Sequence, residues 1–462
     1  MKGLDIIILA AGKGTRMKSD IPKVMHKICG LPMLEIVIEN ANKLKPDNIF
    51  VVVGYKKEII ESYFNKKFEG KLKFIEQKMQ NGTGDAVNSC KEFFNNRNSN
   101  VLILCGDMPL VSGESLINFI DFFNENNISL LVMSTFVENP YGYGRIIRDG
   151  KNFIKIVEEK DASIEEKKIN EINTGIYCVK SDILFNLLEK VDNNNAQGEY
   201  YLTDIVETAV KNKIDVSAVA FGTSEEFIGI NSREQLAYAE NILVKRKIAE
   251  LQSEGVTFIK PETTYLHLNI KIGRDSVIYP DNVIIDNSII GEKCEIGPFN
   301  VIKNTFIADN VNIKAHCYLD SAKIDTGTQI GPFSHLRPGS EIGENCKVGN
   351  FVEIKKSILK KEVKASHLSY LGDANIEEGV NVGAGTITCN YDGVNKYKTF
   401  IGKHVFIGSD TQLVAPVNIG DYTLIAAGTT VTKDTPANSL VHSRVKQSNI
   451  ANKGVKYKIE TG

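Results

Sequence analysis

The chain has 462 residues and no tryptophan. None of its eight cysteines forms a C-x-x-C pair, the nearest two being Cys90 and Cys105. That scatter excludes a zinc ribbon and a dense disulfide framework, and it fits the reduced thiols of a cytoplasmic protein. No H-x-x-x-H pair occurs among the seven histidines. The longest clean apolar run near the start, Ile6 to Ala11, is far too short to span a bilayer. It follows Asp5, which spoils it as a signal-peptide core, so no membrane insertion is expected. The formal net charge of −2 implies no general pull toward nucleic acid or a membrane surface. With 42% hydrophobic and 24% charged residues, the chain has a folded rather than a disordered composition. Its length predicts about three domains.

Residues 1–231 alternate strand-like and helix-like segments. Leu4–Leu9, apolar but for Asp5, reads as a buried parallel strand. Ile49–Val53, Lys73–Ile75, Val101–Leu104 and Leu130–Met133 read the same way, with helices predicted over Met33–Lys43, Gly84–Phe94 and Glu114–Asn124. Such alternation predicts an α/β sheet wrapped by helices. Residues 232–254 read as one amphipathic connecting helix or as the last helix of the first domain. Ser232 and Gln235 fit a capping box, and Gly255 supplies a stop.

In residues 255–462 the period changes to six. Ile324, Ile330, Leu336, Ile342, Val348 and Ile354 are spaced by six without a break, and so are Ile401, Ile407, Leu413, Ile419, Ile425 and Val431. A hexad period predicts a parallel β-helix: each hexad makes one short strand and one corner, and three complete a coil. Glycine often follows the inward residue and leaves room at the turn. Val382 and Ile401 are 19 residues apart, so something loops out, and the polar stretch Cys389–Thr399 is the candidate. Inserted loops on solenoids commonly lie on the binding face.

Two constellations carry chemistry. The first is Leu9-Ala10-Ala11-Gly12-Lys13-Gly14-Thr15-Arg16, followed by Pro22-Lys23, directly after the first strand. Glycines there let backbone N–H groups approach phosphate oxygens, and Arg16 and Lys23 can neutralise a triphosphate. The P-loop pattern is absent, and Met17 breaks the dinucleotide fingerprint. The stretch instead resembles the sugar-nucleotide pyrophosphorylase signature L-x-x-G-x-G-x-R-x-x-x-x-x-P-K, which it fits from Leu9 to Lys23. The resemblance implies a Rossmann-like nucleotidyltransferase domain. It further implies Gln77, Gly82 and Thr83 as a base-reading loop, with Gly144, Glu158 and Asn173 holding the sugar. Asp107 and Asn231 would be the Mg²⁺ ligands. Asp107 also stands where a strand of an α/β sheet ends, the usual ligand position. Cys105, where the family often has a hydroxyl-bearing residue, is expected to touch little.

The second constellation lies in the repeats. His367 sits in Ala365-Ser-His-Leu-Ser-Tyr-Leu-Gly-Asp373. Acetyl transfer to an amine needs a base to take the ammonium proton, and histidine suits it. Together with V-N-V-G-A-G-T-I-T-C-N-Y-D-G, this stretch resembles the bacterial family of bifunctional sugar-phosphate N-acetyltransferase/uridylyltransferases over essentially the whole chain. The β-helix would then be left-handed. The resemblance implies His367 as proton acceptor, Arg337 and Lys355 gripping the sugar phosphate, and Tyr370 and Asn381 orienting the sugar. Ala384, Asn390, Tyr391, Ser409, Ala427 and Arg444 would contact acetyl-CoA. Asp373, one hexad after His367, is a candidate to orient the imidazole. The small-molecule partners implied are glucosamine-1-phosphate, N-acetylglucosamine-1-phosphate, UTP and acetyl-CoA, in a homotrimer. Two alternatives stand beside this reading: a nucleotidyltransferase whose β-helix serves only assembly or regulation, and a non-enzymatic assembly subunit that kept both folds.

Overall fold

The computed structural model describes residues 3–95, 97–443 and 445–453. It divides into two compact units, Met1–Leu243 and Val244–Gly462. The boundary falls inside one helix, Arg233–Ser253. That helix opens on the capping box expected from sequence: Gln235 N–H donates to Ser232 Oγ at 3.2 Å, and Ser232 N–H donates to Gln235 Oε1 at 3.1 Å.

The first unit is built on a mixed sheet. We label its main strands β1 (Leu4–Leu9), β2 (Asn48–Val53), β3 (Leu72–Glu76), β4 (Asn100–Cys105), β5 (Leu130–Phe136), β6 (Arg145–Asp149), β7 (Asn152–Val157), β8 (Glu171–Lys180) and β9 (Val216–Ala220). The order is β9-β5-β8-β4-β1-β2-β3, with the β6–β7 hairpin branching from β8. Strand β1 pairs in parallel with both β2 and β4. From β1 the chain builds outward through β2 and β3, then returns to β4 on the other side. That reversal opens a crevice at the carboxyl ends of β1 and β4, where open α/β sheets bind ligands. Ile6–Leu9 of β1 is continuously apolar because both faces are covered: Ile6 and Ile8 pack into one core, Ile7 into the other.

The predicted helix Gly84–Phe94 is in fact two pieces, the helix Thr83–Asn88 and a 3₁₀ turn over Lys91–Phe94. The break lets Phe93 and Phe94 both reach Phe50, at ring-centroid distances of 5.6 and 5.2 Å.

The second unit is a three-sided parallel β-helix. Bonds between successive coils, such as Asn300 to Asn282 and Cys317 to Asn300, span 18 and 17 residues, so both coil lengths occur. The inward hexad residues named above are all 0–3% exposed, and each contributes about 1.5–3 kcal/mol by burial. Corners turn through the left-handed backbone region, and the residues that do so stack into three columns. One runs through Asp275, Lys293 and Asn310, a second through Asp281, Phe299 and His316, a third through Asp286, Asn304 and Ser321. Inside the corners, buried Ser276, Thr328 and Ser357 hydroxyls accept backbone N–H groups of the next coil. The polar interior of each turn is thereby satisfied. The loop foreseen at Cys389–Thr399 is present. Its neighbouring strands are Ile387–Cys389 and Thr399–Ile401, and a Tyr391–Lys396 antiparallel bridge pins it.

Candidate active sites

The first site is a cavity of about 280 Å³ at the ends of β1 and β4. Leu9, Ala10, Ala11, Gly12, Lys23, Gln77, Gly82, Thr83 and Asp107 all line it. The loop after β1, from Gly12 to Lys23, turns at Gly14, where φ is +65° and an added Cβ would lie 2.5 Å from Lys23 Cβ, so only glycine fits. Lys23 Nζ pairs with Asp107 Oδ2 and donates to Asn231 Oδ1 at 3.0 Å. Asn231 is oriented for this because its Nδ2 donates to Gly229 O at 3.1 Å, leaving the oxygen toward the lysine. Ile230 N–H donates to Asp107 O at 3.0 Å and ties the two segments together. An ammonium thus sits between one carboxylate and one amide oxygen.

Gly144, Glu158 and Asn173 form a neighbouring cluster and are not on the wall of the first cavity. Asn173 N–H donates to Gly144 O at 2.9 Å, and a Cβ on Gly144 would stand 3.4 Å from Glu158 Oε1. Burial pushes the Glu158 carboxyl above its ordinary range. Arg16 stands exposed on the turn Thr15–Met17, outside that wall. Val24, Gln80, Ala86 and Glu199 also line the wall and escaped the sequence reading. Gln80 closes the loop by donating Nε2 to Ala11 O at 2.9 Å. Cys105, expected to touch little, also lines the cavity. Burial pushes its thiol up to about 12.

The second site lies along the β-helix. Strand registers place Asn350, His367, Ala384, Ser409 and Ala427 at one station in five successive coils. His367 Nδ1 lies 3.1 Å from Asn350 Oδ1. Past the corner at Phe351 and Leu368, on the adjoining face, Arg337 donates Nη1 to Glu353 Oε1 at 2.7 Å, and Lys355 pairs in register with Gly372. Tyr370 lies across Gly372, whose added Cβ would stand 2.4 Å from the phenol oxygen. The neighbouring Lys396 ammonium pushes Lys355 below its ordinary range. Lys396 comes from the inserted loop and was missed. The signal was there, since that loop was already the binding-face candidate and carries two lysines, Lys396 and Lys398. Asn381 stands on the face that carries His367, three residues before Ala384, paired with Lys364 and Phe406. Tyr391 is exposed, and its hydroxyl donates to Gly393 O at 2.6 Å. Arg444 lies outside the described residues.

One expectation is corrected. Asp373 does not orient His367: its Oδ2 accepts from Asn390 Nδ2 at 2.6 Å. Six residues along a β-helix lead to the next face, whereas the lateral neighbour is a full coil away. The partner of His367 is therefore Asn350, 17 residues earlier.

Residues 5–224 match the model of the nucleotidyl transferase family, and 269–304, 321–356 and 398–433 match the bacterial transferase hexapeptide model of six repeats. The hexapeptide match and the coil geometry together identify the second unit as a left-handed parallel β-helix. The chain is 46% identical to the bifunctional protein GlmU of Geotalea daltonii, covering 96% of this chain and 97% of that protein. It is also 46% identical to that of Geotalea uraniireducens, at 97% and 98% coverage, and 43% identical to that of Syntrophomonas wolfei, at 98% and 100%. The chain belongs to the GlmU family of bifunctional proteins. Among solved structures, a UDP-glucose pyrophosphorylase complexed with UDP-glucose aligns with 53% of this chain and all of its own, at a TM-score of 0.45 and 22% identity. Membership of the GlmU family sets aside both alternatives raised from sequence, since the relatives span both units and are bifunctional.

Proposed function

We propose that the protein makes UDP-N-acetylglucosamine by two transfers. Residues 255–462 acetylate glucosamine-1-phosphate with acetyl-CoA, and residues 1–231 then transfer the uridylyl group of UTP to N-acetylglucosamine-1-phosphate, releasing pyrophosphate. The segment 232–254 joins them. The observation that carries this is the presence, in one chain, of a cation seat beside a Gln77-lined cavity and of a histidine held by an amide on the β-helix.

In the acetyl site, an amine bound as ammonium must lose a proton before it can attack a thioester. Nδ1 of His367 donates to Asn350 Oδ1, which leaves Nε2 with the lone pair to take that proton. The amine nitrogen then bonds to the acetyl carbon as the carbon–sulfur bond breaks, and coenzyme A leaves. Arg337, Lys355 and Lys396 supply the charge for the sugar phosphate. The lowered pKa of Lys355 registers cation–cation repulsion that a bound phosphate would relieve.

In the uridylyl site, a sugar phosphate oxygen attacks the α-phosphorus and pyrophosphate leaves. No base is needed, because the nucleophile is already anionic. Positioning and charge neutralisation supply the catalysis. Asp107 and Asn231 suit Mg²⁺: they already hold a cation, Lys23, between two hard oxygens, and Mg²⁺ needs few protein ligands. When bound there, the metal supplies neutralisation of phosphate charge. Lys23 and Arg16 add positive charge around the triphosphate. Gly144, Glu158 and Asn173 hold the sugar, and Gln77 presents its amide to the base.

A homotrimer with a shared acetyl site is the assembly proposed. It is supported by a ladder of exposed rings at one β-helix corner. Phe299, His316, Phe333 and Phe351 stack at centroid distances of 4.9, 4.9 and 5.4 Å and lead to exposed Leu368, next to His367. The cytoplasm is the proposed compartment, supported by eight cysteines none of which is in a disulfide. No helix among the described residues is long and apolar enough to cross a membrane.

The test is a coupled assay with glucosamine-1-phosphate, acetyl-CoA, UTP and Mg²⁺. Release of free coenzyme A together with UDP-N-acetylglucosamine supports the reading. Pyrophosphate release from N-acetylglucosamine-1-phosphate with no acetylation of the amine would leave the β-helix with assembly alone.

A further inference from the structure

Gln77 is 6% exposed and lines the uridylyl cavity. Its Nε2 donates twice, to Gly82 O at 3.1 Å and to Asp85 Oδ2 at 2.8 Å. Both partners can only accept, a carbonyl by its nature and a carboxylate when ionised. The two amide hydrogens are therefore consumed, and the orientation of the amide is fixed by chemistry. A flipped amide would set Oε1 against two oxygens and lose both bonds. Backbone holds the residue as well, since Gln77 N–H donates to Val53 O at 2.8 Å. Among the described residues Oε1 is left as a spare acceptor.

We propose that Asp85 is a positioning residue that makes the uridylyl site choose uracil over cytosine, by holding the Gln77 amide with its oxygen toward the base. The inference rests on the reading that Gln77 faces the base. Uracil carries a hydrogen at ring N3 and can donate it to Oε1. Cytosine has a lone pair there and would meet Oε1 lone pair to lone pair. With the amide reversed, Nε2 would donate to cytosine and reject uracil. The two bases have nearly the same shape, so shape alone gives little discrimination, whereas an unpaired or opposed polar group gives much. Asp85 lies on the first turn of the helix Thr83–Asn88, and Gly82 immediately precedes it, so one loop supplies both acceptors.

The test measures kcat/KM for UTP and for CTP with N-acetylglucosamine-1-phosphate, using the full chain. Acetyl transfer in the same preparations reports intact protein. Asp85→Leu removes the carboxylate, Asp85→Asn can still offer an acceptor oxygen, and Gln77→Ala removes the reader. The proposal expects Asp85→Leu to lower the UTP:CTP ratio about tenfold or more, and Asp85→Asn to restore most of it. Asp85→Ala serves the same test if the leucine variant does not fold. An unchanged ratio in the folded Leu or Ala variant, with the ratio lost in Gln77→Ala, would overturn the role of Asp85 while leaving Gln77 as reader. An unchanged ratio in Gln77→Ala would overturn both.

Discussion

The imidazole of His367 and the amide of Asn350 meet across one coil of the β-helix, Nδ1 to Oδ1, at 3.1 Å. The contact selects a tautomer, and it makes the pH dependence of acetyl transfer adjustable from the neighbouring coil. A carboxylate in place of that amide favours imidazolium. Asn350→Asp should therefore move the acid limb of the acetyl-transfer profile to higher pH. Asn350→Ala should lower turnover without such a shift. Rate profiles of the two variants between pH 5 and 9 check this.

Gly349 is needed for room between coils, not for backbone freedom. A Cβ there would stand 1.9 Å from Ser366 O, the backbone of the next coil. Gly349→Ala should cost the β-helix about 3 kcal/mol, at the upper end of overpacking penalties. Chemical denaturation followed by circular dichroism measures it. Gly12→Ala meets nothing within 4 Å and should leave stability unchanged.

Asp204 carries a pH signature in the first unit. Burial, then the nearby Glu158, raises its pKa to about 6. A carboxyl raised above its unfolded value is favoured by the fold in its protonated form. Its charge therefore costs stability above about pH 6, and the cost vanishes below about pH 4. Asp204→Asn should stabilise the unit by about 1–2 kcal/mol at pH 8 and by nothing at pH 3.5. Melting curves at the two pH values test the sign.

Much of this was legible because the repeats constrain the chain so tightly. Ile324 to Ile354 point inward at every sixth residue, and their near-complete burial follows from that period alone. The nucleotide loop was legible because Leu9 to Lys23 is contiguous. Contacts made around the coil were not legible in the same way. Asn350 is 17 residues from His367, and an irregular mix of five- and six-residue steps, as from Ile302 to Ile307, hides which residues stack. Antiparallel β8 and the β6–β7 hairpin escaped for a similar reason, since apolar runs reveal strands but not their order or direction. Lys396 depends on how a nine-residue loop folds back through the Tyr391–Lys396 bridge, which composition does not encode.

The central claim is that two chemistries work independently in two units. The most direct measurement is the rate of each half-reaction in wild type, Asp107→Ala and His367→Ala, all as full chains. Asp107→Ala should abolish uridylyl transfer, a barrier increase of several kcal/mol, and leave acetyl transfer near the wild-type rate. His367→Ala should cut acetyl turnover by about 10²–10⁴-fold, with modest change in the KM for acetyl-CoA, and leave uridylyl transfer intact. Loss of both activities in either folded variant would contradict the account, as would near wild-type acetyl transfer in His367→Ala at neutral pH.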